Sequence, residues 1–327
     1  MSDRPRVVLL GATGFVGSTI LAELAREPLR VRAVARREAL PPADAVADVE
    51  VRTADLTEPG AVAEAVADAD VVIHSIAYIA GSSSWRIEDG DKAAERVNVD
   101  LVRDVVRALR DRPGTGLLFV GACSQVGPSQ KAVLDGSEPD EPKGEYDRQK
   151  LAAERIVLDA TAAGLVRGAS IRLPTVFGPS AHPETRDKGV VSLMAGRALA
   201  GQPITMWHDG TVRRDLLPVR DVARALVAAL GHVDALAGRH WLLGTGVGSP
   251  LGDVFRTVAG LVAERTGKPE VPVLSVDPPE YAETTDFRDV VIDPSRFASV
   301  TGWRARTPLS EALRETVEHC HTAAEAR

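Results

Sequence analysis

Residues 6–18 read RVVLLGATGFVGS, and no other stretch constrains the fold as tightly. Val7 to Leu10 form an uninterrupted aliphatic run, which predicts a strand buried on both faces of a parallel sheet. After Gly17 the apolar residues Ile20, Leu21 and Leu24 recur at three- and four-residue steps, a helical pattern. Gly11, Gly14 and Gly17 therefore fall in a tight turn from strand to helix. Glycine there permits unusual backbone angles and lets a ligand approach the main chain without a Cβ in the way. A helix N-terminus offers free N–H groups and the positive end of its dipole, so the expected ligand is an anion. A turn that needs glycine only for packing is the competing reading, and the agreement of strand, spacing and helix counts against it.

The same alternation continues. Strand-like runs lie at 30–35, 49–52, 70–74, 116–121 and 169–173, and helical runs at 14–27, 58–68, 92–110 and 146–163. This predicts an α/β fold, a Rossmann-type doubly wound parallel sheet with helices on both faces. Beyond Pro174 prolines punctuate shorter elements. The expected division is a dinucleotide-binding domain at 1–173 and a smaller, mainly helical substrate-binding part at 174–327, with some segments returning to the sheet. A chain of 327 residues has room for both.

The second strand ends in Arg36–Arg37, where an acidic residue would bind the adenosine ribose of NAD and arginine can take a 2′-phosphate. Guanidinium forks suit a phosphate. NADPH is therefore the expected cofactor, ahead of NADH. Asp55 closes the third strand, within reach of an adenine.

Tyr146 and Lys150 stand four apart in EYDRQKLAAE and share a helix face. A phenol with a pKa of about 10 is a poor acid–base at neutral pH, and a nearby ammonium lowers it. Such a tyrosine can protonate an alkoxide as it forms.

With these residues in hand, the chain resembles the extended short-chain dehydrogenase/reductases over nearly its whole length. The resemblance rests on GATGFVG at 11–17, VIHSIA at 72–77, Asn98 in RVNV, FVGACSQVG at 119–127, YDRQK at 146–150, RLPTVFGPS at 172–180 and RRDLLPVRDVA at 213–223. It implies Tyr146 as general acid, with Lys150 lowering its pKa and binding the nicotinamide ribose. It implies cofactor contacts at Gly11, Thr13, Gly14, Phe15, Val16, Asp55, Leu56, Ser75, Ile76, Ala77, Asn98 and Pro174. One position departs from the pattern: where the family has Ser or Thr, three residues before Val126, this chain has Cys123, followed by Ser124. A thiol is the weaker donor, so Ser124 is favoured over Cys123 for polarising the substrate carbonyl.

The family holds dehydratases, epimerases, decarboxylases and reductases, so fold alone does not choose among them. The 4,6-dehydratases carry Asp-Glu after the catalytic threonine and the decarboxylases carry Thr-Ser-Glu, whereas Ser124–Gln125 supplies no carboxylate. SQVG, YDRQKLAAE, RLPTVFGP and MWHDGTVRRDLL resemble NDP-hexose 4-ketoreductases, which reduce dTDP-4-keto-6-deoxyhexoses in bacterial deoxysugar and antibiotic pathways. This implies Arg214 on the substrate diphosphate and Trp207 against the base, with Thr175 where the family usually has asparagine. The alternatives are an epimerase that recycles tightly bound NAD and a redox-sensing regulator that binds NADPH without turnover.

No metal is expected: His319–Cys320–His321 lie on one helix, where neighbours two apart do not face each other. The GSSSW segment at 81–85 reads as a substrate-side loop, with no role given to Ser82. The balance of 39 basic and 46 acidic residues gives −7, which implies no general attraction to nucleic acid or membranes. Two cysteines, the absence of an apolar leader and the lack of any bilayer-length run point to a cytoplasmic protein. The expected assembly is a homodimer through helices at 96–110 and 152–161.

Overall fold

The structure, a computed structural model, describes residues 4–78, 87–185, 187–280, 282 and 284–325. Seven strands form the main sheet: β1 (Arg6–Leu10), β2 (Arg30–Ala35), β3 (Asp48–Thr53), β4 (Val71–His74), β5 (Gly116–Ala122), β6 (Arg167–Leu173) and β7 (His240–Leu242). They run parallel in the order β7-β6-β5-β4-β1-β2-β3. The order reverses between β1 and β4, where such sheets open a ligand crevice at their carboxyl ends. The sequence pattern predicts the first six strands to within two residues. The seventh is a three-residue return from the second half of the chain, too short to announce itself.

β1 shows why the sheet is buried on both sides. Val7 and Leu9 enter one apolar cluster and Val8 and Leu10 another, all at most 1% exposed. Each such side chain contributes about 1.5–3 kcal/mol on burial. The first cluster is closed by the helices Phe15–Leu24 and Val219–Leu230. The second is closed by Leu101–Leu109 and Glu145–Ala162. Residues far along the chain, among them Leu226, Phe297 and Trp303, thus pack on the first sheet face. A third cluster lies wholly beyond residue 173, between helices Val190–Leu199, Leu251–Thr266 and Leu309–Glu325.

The helix expected at 92–110 is interrupted. Lys92–Glu95 and Leu101–Leu109 are α-helical, and Arg96–Asp100 between them forms a wider π turn. Turns of this kind occur often at functional sites, and this one carries Asn98. Among the described residues no helix is long and apolar enough to cross a membrane.

Candidate active site

The glycine turn is built as its spacing predicts. Gly11 has φ +92, and a Cβ on Gly17 would stand 2.0 Å from Gly11 O, so neither position accepts a side chain. Gly11 and Ala12 donate to Val34 O at 2.9 and 3.1 Å, which ties the turn to β2. Ser75 Oγ donates to Leu10 O at 2.8 Å, and Ile76 packs against Gly11. No side chain caps the helix that begins at Phe15, and its first turn holds no acidic residue. Its leading N–H groups, including Val16's, are left for an anion, and these residues fit the pyrophosphate of a dinucleotide.

Arg36 and Arg37 are exposed at the end of β2. Asp55 accepts from Thr57 N and Oγ1 at 2.9 and 2.7 Å, with Arg36 close enough to help hold its carboxyl below the usual range. Leu56 is buried in the second apolar cluster, Ala77 is exposed, and Pro174 is partly buried just after β6.

Asn98 links two walls of the site. Its Oδ1 accepts from Tyr78 N at 2.7 Å, and its Nδ2 donates to Gln149 Oε1 at 2.8 Å. The π turn thereby fixes the loop after β4 against the helix Glu145–Ala162. That helix sets Tyr146 and Lys150 one turn apart. Lys150 is 3% exposed, donates to Val120 O at 2.5 Å and lies 4.5 Å above the Phe119 ring. Burial pulls its pKa down to about 8, with Glu154 opposing. Tyr146 goes the other way: burial, then the Asp147 charge, push its phenol above the ordinary value. The lowering expected from Lys150 does not appear: Tyr146 is partly buried and stands beside the Asp147 carboxylate. A phenol so held keeps its proton at neutral pH and can serve as a proton donor.

The two residues after β5 part company. Cys123 is buried with Val126, Leu134, Leu242 and Ile292, and its thiol donates to Arg172 O at 3.5 Å. Burial raises its pKa far above that of a reactive thiol. Ser124 is exposed, and its Oγ donates to Asp147 Oδ1 at 2.6 Å, beside Tyr146.

Beneath the helix Glu145–Ala162 lies an ion network that sequence reasoning missed. Arg172, fully buried, donates to Asp140 at 2.7 and 2.8 Å and to Glu154 Oε2 at 2.9 Å. Ser170 Oγ adds a bond to Glu154 at 2.5 Å. The one available signal was Glu154 itself, a further helical turn beyond Lys150. Asp147 carried no signal, because its partner is set by the chain's path after β5.

Arg214, expected on the substrate, lies on the strand Arg213–Pro218, which pairs with Thr175–Phe177 through Leu216 and Thr175. Its guanidinium donates to the carbonyls of Thr285 and Asp286 at 2.9 and 3.1 Å, and also to Arg288 O. Trp207 follows the strand Ile204–Met206 and is partly buried. Its neighbour His208 feels the Arg214 charge, so the WHDG turn and Arg214 lie together. The GSSSW segment with Ser82 lies outside the described residues. Among the described residues no three potential metal ligands gather.

Comparison with known proteins bears on the family and the fold. The UDP-glucose 4-epimerase of Mycolicibacterium smegmatis is 27% identical over 321 residues, 96% of this chain and 97% of the relative. The dTDP-6-deoxy-L-talose 4-dehydrogenase (NAD(P)(+)) of Kitasatospora kifunensis is 29% identical over 322 residues, 95% and 94%. Among solved structures, MoeE5 in complex with UDP-glucose and NAD superposes with a TM-score of 0.78 at 27% identity, covering 98% of this chain and 99% of that one. Residues 7–244 match the NAD dependent epimerase/dehydratase family, and the chain belongs to it.

Proposed function

We propose that the protein reduces the C4 ketone of a dTDP-4-keto-6-deoxyhexose to the 4-hydroxy sugar with NADPH. When bound, the nicotinamide cofactor supplies the hydride. The glycine turn and Asn98 position it, and Arg36–Arg37 meet its 2′-phosphate. Tyr146 Oη gives its proton to the C4 alkoxide, while the Lys150 ammonium lies along the ribose and stabilises the phenolate that remains. Ser124 turns its one hydroxyl proton from Asp147 to the carbonyl and polarises it. Arg214 meets the substrate diphosphate, Trp207 its base, and Thr175 lines the sugar. The protein is cytoplasmic and acts as a homodimer through the helices at 96–110 and 152–161, with the two parts of the chain dividing at 173.

The observation that carries this reading is the Tyr146–Lys150 pair one turn apart on the helix Glu145–Ala162, with the Ser124 hydroxyl held beside it by Asp147. The arginines ending β2 support a phosphorylated cofactor. A second reading, a nucleotide-sugar epimerase holding NAD, is favoured by the relatives and structures that carry epimerase names and NAD. The test is cofactor oxidation with a dTDP-4-keto-6-deoxyhexose. The expected result is turnover that prefers NADPH and falls about 10²–10⁴-fold in Tyr146→Phe. Isomerised sugar without net cofactor oxidation, from protein purified with NAD, would replace this reading with the second.

A further inference from the structure

The chain from Ser180 to Thr185 forms a strap across the glycine turn and the end of β2. Ser180 Oγ lies 3.2 Å from Ser18 Oγ, and Thr185 Oγ1 donates to Thr13 O at 2.7 Å. His182 is 4% exposed and holds the strap's shape. Its Nδ1 accepts from Glu184 N at 3.3 Å, which leaves the ring proton on Nε2 to donate to Glu38 O at 3.2 Å. The strap also claims Arg37. The guanidinium meets Glu184 Oε2 at 3.3 Å and Thr185 Oγ1 at 2.8 Å.

We propose that Glu184 is a built-in competitor for the 2′-phosphate on Arg37, so the strap sets how strongly the enzyme separates NADPH from NADH. This rests on the reading of Arg37 as a phosphate contact. The two halves of the strap differ in a way that suits the role. His182 and Ser180 are buried anchors, whereas Glu184 and Arg37 are 69% and 47% exposed. A solvated ion pair of this kind is weak. A phosphate offers the same fork a stronger bidentate acceptor. Glu184 can therefore yield Arg37 while His182 keeps the strap in place. A carboxylate left beside an incoming dianion also repels it, which lowers NADPH affinity and leaves NADH untouched.

The test is calorimetric binding of adenosine 2′,5′-bisphosphate and of 5′-AMP to the full chain, in wild type, Glu184→Gln and Arg37→Ala, each matched for thermal midpoint. Glu184→Gln should tighten the bisphosphate about fivefold, the upper range for an exposed pair, and change 5′-AMP less than about twofold. Arg37→Ala should weaken the bisphosphate about tenfold or more and narrow the difference between the two probes, Arg36 keeping the rest. If Arg37→Ala leaves the bisphosphate unchanged, the phosphate reading of Arg37 is wrong. If Arg37→Ala weakens it but Glu184→Gln fails to tighten it, Glu184 is no competitor and the proposal falls.

Discussion

Arg172, under the helix Glu145–Ala162, and Arg214, on the strand Arg213–Pro218, show two ways of setting a cation into protein. Arg172 is fully buried and meets two carboxylates, Glu154 and Asp140, so its charge is cancelled where it stands. Arg214 is partly buried and gives its described hydrogen bonds to carbonyls of the 285–288 turn and to Arg213 O. Carbonyls satisfy its N–H groups without cancelling its charge. Burial lowers its pKa, and the charges of Asp286 and Asp289 oppose that. The difference separates structure from function: a neutralised cation holds helix to sheet, and an uncancelled one still wants an anion.

The largest expected effect tests the structural half. Arg172→Met strands Glu154 and Asp140 together and should lower stability by about 3–5 kcal/mol, read by chemical denaturation. Wild-type stability in that variant would break the comparison. Arg214→Ala should do the reverse, weakening dTDP binding by about 10–100-fold in calorimetry while lowering stability by only about 1 kcal/mol.

A third prediction uses pH. His74 is 1% exposed, faces the Phe119 ring and lies near the Lys150 charge. Burial, then Lys150, pull its pKa down to about 3. Between that value and the ordinary 6.5 the unfolded chain binds a proton that the folded chain refuses, so stability falls as pH falls through this window. From pH 7 to pH 5 His74 alone should remove about 2 kcal/mol, and His74→Phe should lose that part of the pH dependence. Glu154 responds at lower pH. Burial alone would raise its pKa, but the Arg172 guanidinium and Ser170 hydroxyl hold it below the usual range. Its stabilisation is present above the unfolded value and lost as pH falls through the folded one. The smallest effect sharpens the functional half: Asp286→Asn should tighten dTDP by less than about threefold, as removal of one opposing charge.

The parts of the site that lie close together in sequence were the legible ones. The glycine turn, the Tyr146–Lys150 spacing and the first six strands follow from periodicity and local backbone rules. The π turn at Asn98 was not, because the 92–110 pattern keeps its apolar face through the extra residue. Donor strength already favours Ser124 over Cys123, but that Cys123 is the buried one is decided by packing against Val126 and Ile292. The contacts of Arg37 with Glu184, of Arg172 with Asp140 and of Arg214 with the 285–288 turn span 147, 32 and 71–74 residues along the chain. No sequence period encodes such distances.

The central claim is that the cofactor is consumed and its hydride ends on the sugar. The direct measurement follows deuterium from NADPH labelled at the nicotinamide C4 into the product by mass spectrometry, alongside cofactor stoichiometry. The account predicts one NADPH oxidised per sugar, with the label at C4 of the 4-hydroxy product. Unlabelled, isomerised sugar with no NADPH oxidised would contradict it.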